Sequence, residues 1–226
     1  MNESEAKTAL IATAQAMARA GLNRGTAGNL SLRFFIDGRD GFLITPTGMD
    51  YADLKADDIP WLALNTDGHH QGGQTPSSEW RMHRDLYAAR AEVGAVLHAH
   101  SPFAVSLACL RREIPPFHYM IARFGGESVR CAAYALFGTQ SLSDAALTAL
   151  ADRTACLLAN HGMLVVGADL KQALDLGVEL ESLCEHYCRA AQLGTPVLLT
   201  PEEMAAVRER FREYGVQKPQ RSATLP

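Results

Sequence analysis

Two pairs of short apolar segments are joined by tight turns, and this limits the sheet the chain can build. Segments 30–35 and 42–45 flank the turn Asp37-Gly38-Arg39-Asp40-Gly41, and segments 155–159 and 163–166 flank Asn160-His161-Gly162. Hairpin-like units of this kind belong to antiparallel or mixed sheets. Two further strands are expected at 61–65 and 93–100, and helices at 3–20, 79–90, from Ser101-Pro102 onward, at 144–151, 170–193 and 201–214. Helices and strands interleave without repeats or a linker, so the expected fold class is α/β, a single domain with a mixed, mostly antiparallel sheet.

Local chemistry supports these boundaries. Gly21 is a plausible stop for the first helix. Ser77 and Ser78 stand where an N-cap is wanted before the 79–90 helix, and Pro102 fits a first helical turn. Positions 170, 173, 174, 177, 180, 184, 187 and 191 are apolar or small at helical spacing. The segment 217–226 is polar and carries prolines, and is expected to be a flexible C-terminal tail.

A net charge of −4 with no basic run argues against nucleic acid or an anionic membrane as partner. No apolar stretch nears the ~20 residues of a membrane span, and the polar, acidic start MNESEAKTAL does not read as a signal peptide. A cytoplasmic location is expected. The five cysteines are an odd number without a CxxC pair, and read as buried free thiols.

The chemistry concentrates in three histidines. His98 and His100 lie two apart at the end of a strand, so both imidazoles share a face. His161 sits in the second hairpin turn. Brought beside the pair, it completes the three-ligand set of a catalytic metal that keeps a position open for substrate; apart from it, the pair could equally be hydrogen-bonded strand-end histidines. His69 and His70 read as solvated, His186 as a packing or surface residue, and His83, one turn after Glu79, as half of a helix-surface pair. A Schiff-base lysine is disfavoured, because Lys7, Lys55, Lys171 and Lys218 all lie in polar, turn-like or terminal segments.

Several motifs together resemble the class II aldolase/adducin family: Gly25-Thr26-Ala27-Gly28-Asn29-Leu30-Ser31, Ile44-Thr45-Pro46-Thr47-Gly48, Pro76-Ser77-Ser78-Glu79-Trp80-Arg81, Val96-Leu97-His98-Ala99-His100, His118-Tyr119-Met120-Ile121-Ala122 and Leu158-Ala159-Asn160-His161-Gly162. The match covers about 5–216. His118 to Ala122 and the closing Phe211-Arg212-Glu213-Tyr214-Gly215 are most similar to the bacterial L-fuculose-phosphate aldolase branch. The resemblance implies a three-layer domain over 1–216, with zinc (manganese or cobalt as substitutes) on His98, His100, His161 and, at rest, Glu79. Glu79 would also be the catalytic carboxylate. The phosphate of a phosphorylated ketose would meet Gly28, Asn29, Thr47, Gly48, Ser77 and Ser78. Tyr119 would be the proton donor, Tyr214 would cover a neighbouring subunit's site, Phe137 would line the aldehyde pocket, and the assembly would be a homotetramer.

The implied reaction is retro-aldol cleavage of a ketose 1-phosphate, like L-fuculose 1-phosphate, to dihydroxyacetone phosphate and an aldehyde. Ser77, Ser78 and free amides of the following helix could bind the phosphate. Departures from the family pattern at Ser101-Pro102-Phe103-Ala104, Ala159-Asn160 and Arg123-Phe124 are expected near the aldehyde side and bear on substrate identity. Alternatives are an aldolase or dehydratase for 5-deoxy- or 5-methylthio-pentulose 1-phosphates, or an epimerase or decarboxylase on the same scaffold. Epimerases of this type carry aspartate where Glu79 stands, and adducin-like scaffolds have lost the histidines.

Overall fold

In the structure, a computed structural model, residues 1–212 are described; Tyr214 and the expected tail lie outside them. Seven strands form one sheet in the order β3-β2-β1-β4-β7-β6-β5. They are β1 (Asn29–Arg33), β2 (Gly41–Ile44), β3 (Trp61–Ala63), β4 (Ala95–Ala99), β5 (Cys131–Ala132), β6 (Ala155–Leu158) and β7 (Gly162–Gly167). Every pairing is antiparallel except β5 with β6. Both expected hairpins are present. The two-residue β5 escapes the sequence reading because it is too short to show a period.

Helices cover both faces. α1 (Glu3–Arg19), α3 (Pro102–Ala108) and α5 (Leu170–Leu193) pack on one; α2 (Trp80–Ala89) and α4 (Gln140–Ala149) on the other. α6 (Pro201–Arg212) lies against a short 3-10 segment, Tyr119–Phe124. α4 begins four residues before the expected 144, where Thr139 accepts from the Leu142 amide as its N-cap.

Two-residue alternation along the strands decides what each face receives. On β4, Ala95, Leu97 and Ala99 join the core beneath α5, while Val96 faces α2 and α4. On β1, Leu30 joins the α5 side. Its neighbours Asn29 and Ser31 are buried polar groups on the opposite face, paired in register with His98 and Val96. Each large apolar side chain buried in these layers contributes roughly 1.5–3 kcal/mol. The cysteines are all free thiols, but only Cys156 and Cys184 are buried as expected; Cys131 and Cys188 are half-buried, and Cys109, at the end of α3, is exposed. No described helix is long and apolar enough to cross a membrane.

Candidate active site

The end of β4, the β6–β7 turn and the start of α2 meet at one place. His98 is the penultimate residue of β4, and His100 lies just past its end. His161 comes from the turn before β7, where Asn160 takes a left-handed φ of 53°. Asparagine tolerates that conformation better than most residues. Gly162 is needed next to it, since a Cβ there would lie 2.4 Å from the Ala99 carbonyl oxygen. The three imidazole ligand atoms all lie within 4.8 Å of one another, and the rings stand edge to face at 4.7–4.8 Å between centroids.

Glu79 reaches this cluster from the N-cap position of α2. Its Oε2 lies 3.2 Å from His98 Nε2, and its Oε1 lies 3.4 Å from His161 Nε2. Asn29 Nδ2 donates to Oε2 at 2.9 Å. Oε1 is buried without a hydrogen-bond partner. Burial pushes the Glu79 carboxyl up, but adjacent His98, His161 and Asn29 outweigh it and hold it below the usual carboxylate range. Burial pulls His98 down, and the Glu79 charge overcomes this and raises it. Burial lowers His100 and His161 to about 4, so both are neutral at neutral pH.

These features fit a metal. His98 Nδ1 donates to the Met163 carbonyl at 2.9 Å, which leaves Nε2 turned inward. A buried, unpartnered carboxylate oxygen facing a nitrogen cluster wants a cation, since a polar atom left unpaired is costly. His98, His100 and His161 could hold one, with Glu79 at its side.

A cavity of ≈ 310 Å³ opens over the cluster. Three loops wall one side of it: Thr26 to Asn29, Pro46 to Gly48 and Ser77 to Glu79. His100, Asn160 and His161 also line it, as do Tyr134, Ala135 and Phe137. Gly28 has φ 78°, and a Cβ there would strike Asn23 and the His98 carbonyl at 2.6 Å, so only glycine lets this loop close on β4. The α2 amides are less free than expected. Trp80 N–H donates to the Ser77 carbonyl and Glu79 N–H to Ser77 Oγ, because the 77–80 segment closes its own turn. What remains toward the cavity is hydroxyls and loop backbone.

The structure thus brings together His98, His100, His161, Glu79, Gly28, Asn29, Thr47, Gly48, Ser77, Ser78 and Phe137. Tyr119 is not among the cavity walls; it is 49% exposed and stacks on Phe211. The departures from the family pattern mostly lie away from the cavity. Arg123 pairs with Glu179, Phe124 is core, and Ser101 donates to Glu181; only Asn160 faces the site.

The chain's family is decided by comparison. The model of the Class II Aldolase and Adducin N-terminal domain matches residues 8–188. The chain belongs to the class II aldolase and adducin family. It is a class II aldolase, an aldehyde-lyase of a metal-dependent class. A 5-methylthioribulose-1-phosphate/5-deoxyribulose-1-phosphate aldolase of Rhodospirillum rubrum is 50% identical over 206 residues, 91% of this chain and 90% of that protein. An L-fuculose phosphate aldolase of Escherichia coli is 42% identical over 218 residues, 96% of this chain and 99% of that protein. A solved L-fuculose 1-phosphate aldolase superposes with TM-score 0.87 at 39% identity, covering 94% of this chain and 98% of that one.

Sequence reasoning missed several residues that support the site in this class II aldolase. His83 is fully buried and not a surface residue, because α2 turns that face onto β1. Asn23 Oδ1 accepts the His100 N–H at 3.1 Å. Glu181 Oε1 accepts from Phe103 N–H, and its Oε2 from Ser101 Oγ and Ala104 N–H, which anchors the segment after His100. Asn29 and Ser31, alternating with leucines on one strand, were the available signal for His83's partner. Nothing local marked Asn23 or Glu181, whose contacts span 77 to 80 residues.

Proposed function

We propose that this class II aldolase cleaves a ketose 1-phosphate to dihydroxyacetone phosphate and a short aldehyde, with zinc on His98, His100 and His161. The observation that carries the reading is the unpartnered Glu79 Oε1 beside three converging imidazoles, under a cavity walled by small-residue loops. A zinc ion bound there would act as a Lewis acid, stabilising charge that develops on the ketone oxygen as the carbon–carbon bond breaks. Glu79 moves the protons at the reacting carbon and hydroxyl; it is ionised and oriented by Asn29, so it serves first as a base. Ser77, Ser78, Thr47 and the Gly28-Asn29 and Gly48 backbone hold the phosphate, and Phe137 with Tyr134 receives the aldehyde end. Tyr119 stands outside this chain's own cavity, which suits donation into a neighbouring copy's site. Tyr214 is assigned the same cross-subunit role by family resemblance alone. The assembly is a homotetramer in the cytoplasm.

Of the two substrate types the sequence offers, L-fuculose 1-phosphate-like and 5-deoxy- or 5-methylthio-pentulose 1-phosphates, the second is the reading favoured here. The 50% identical relative is named for 5-methylthio- and 5-deoxy-ribulose 1-phosphates, and the cavity lining at Tyr134, Ala135 and Phe137 offers apolar surface to an aldehyde without a hydroxyl. Zinc-loaded enzyme offered 5-deoxyribulose, 5-methylthioribulose and L-fuculose 1-phosphates should release dihydroxyacetone phosphate, with the highest kcat/KM for the first two. A dehydrated product in its place would reject the aldol reading; a clear preference for L-fuculose 1-phosphate would reject the substrate assignment.

A further inference from the structure

We propose that His83 is a positioning residue for this reaction: it fixes which way the Asn29 amide faces, and through Asn29 which oxygen of Glu79 is left for the histidines. The inference rests on the reading of Glu79 as the catalytic carboxylate. Five side chains from two elements interleave between α2 and β1. Glu79, His83 and Tyr87 recur every four residues from the N-cap along α2, on one helical face, while Asn29 and Ser31 alternate on one face of β1. They form a single buried chain of contacts. Tyr87 OH meets Ser31 Oγ at 2.7 Å, and Ser31 Oγ meets His83 Nδ1 at 2.6 Å. His83 Nε2 meets Asn29 Oδ1 at 2.5 Å, and Asn29 Nδ2 meets Glu79 Oε2 at 2.9 Å.

Valence sets the direction of every link. An ionised carboxylate only accepts, so the amide nitrogen of Asn29 must face Glu79 and its oxygen must face His83. That oxygen also only accepts, so the proton of His83 sits on Nε2. Burial lowers His83 to about 3, so the ring is neutral and Nδ1 is an acceptor. Ser31 therefore donates to Nδ1, and the Tyr87 hydroxyl donates to Ser31. All donors point toward Glu79. Asparagine alone has two nearly isosteric amide orientations. Here the flipped one would set oxygen against carboxylate and N–H against N–H, two repulsions at once. Glu79 Oε2 is thereby anchored, and Oε1, which has no hydrogen-bond partner, is left facing His161.

The chain positions groups and is not a path for protons to solvent. Its far end, Tyr87, is fully buried, and burial raises its pKa. His83 touches none of the three site histidines through any hydrogen bond seen, so its effect must travel through Asn29.

Two measurements test this. Long-range proton–nitrogen NMR on the metal-free wild type should show His83 neutral with its proton on Nε2 at neutral pH; an Nδ1–H ring or an imidazolium would overturn the proposal. In steady-state kinetics, His83→Leu should lower kcat about 10–100-fold with KM little changed. His83→Gln, which can still donate to Asn29 Oδ1, should recover most of that loss. Equal losses in both variants, or none in either, would overturn it. Full turnover by Glu79→Gln would instead defeat the catalytic reading of Glu79, while the NMR result, which needs neither metal nor substrate, decides the Asn29 orientation by itself.

Discussion

Both faces of the central sheet bury apolar side chains, but only the face under α2 also buries a connected set of polar ones. Beneath α5 the sheet offers Leu30, Leu43, Ala95, Leu97, Met163 and Val165, all buried and apolar. Gly177 of α5 lets that helix settle close to β4: a Cβ there would meet Leu97 at 3.3 Å and Leu22 at 3.4 Å. Beneath α2 the strands also bury Phe42, Ile44, Leu62, Val96, Leu164 and Val166, and among these they present Asn29, Ser31 and His98, equally buried, with His83 and Tyr87 descending to meet them. The first face gains stability from area alone. The second keeps buried polar groups, which is tolerable only because nearly every one has a partner. Among the described residues Glu79 Oε1 lacks a partner, as do Asn23 Nδ2, Arg153 Nε and Thr154 Oγ1, but only the Glu79 oxygen is a carboxylate beside the three imidazoles, in a residue that lines the cavity. An unpaired carboxylate oxygen beside three imidazoles is where a cation would bind.

Adjacent residues of β4 let the comparison be broken. Leu97→Ala, on the apolar face, should destabilise the fold by about 2–5 kcal/mol, as deletion of a buried leucine does, in urea unfolding. Turnover per folded molecule should be unchanged. Lost turnover in a fully folded Leu97→Ala protein would show that the two faces are not independent.

A smaller effect follows from titration on the polar face. His83, held at about 3 when folded against 6.5 ordinarily, stays neutral where the unfolded chain takes up a proton. His100 and His161, at about 4, behave alike. The unfolded state binds more protons between these values, so stability should fall as pH drops from about 6.5 toward 3. Denaturant titrations of the metal-free chain at neutral and mildly acidic pH should show that fall, and His83→Gln should lessen it. A slope identical in the variant would mean that His83 is charged in the fold.

Much of this architecture was legible in sequence where a local period carried it. The hairpins, the long α5 and the His98/His100 pair all follow from alternation or helical spacing. His83 is visible as a residue one turn beyond Glu79, but spacing names a face without saying what covers it, so sequence alone favours surface over core. The carboxylate, the glycine loops and the hydroxyls were recognisable only as a joint pattern, since each alone is an ordinary turn or cap. Departures such as Arg123-Phe124 leave substrate identity open in the sequence, and the structure sends those residues to an ion pair and to the core. Contacts such as Glu181 with the start of α3 leave no local trace, because they depend on how α5 docks.

The central claim is that one divalent cation sits among His98, His100 and His161 while Glu79 does the proton transfer. Zinc content per chain, measured beside turnover after chelation and reloading, tests it directly in wild type, His161→Ala and Glu79→Gln. The wild type should hold one zinc, His161→Ala should lose zinc and activity together, and Glu79→Gln should retain zinc with kcat reduced by about 10²–10⁴-fold. Undiminished zinc in His161→Ala, or wild-type turnover in Glu79→Gln, would contradict it.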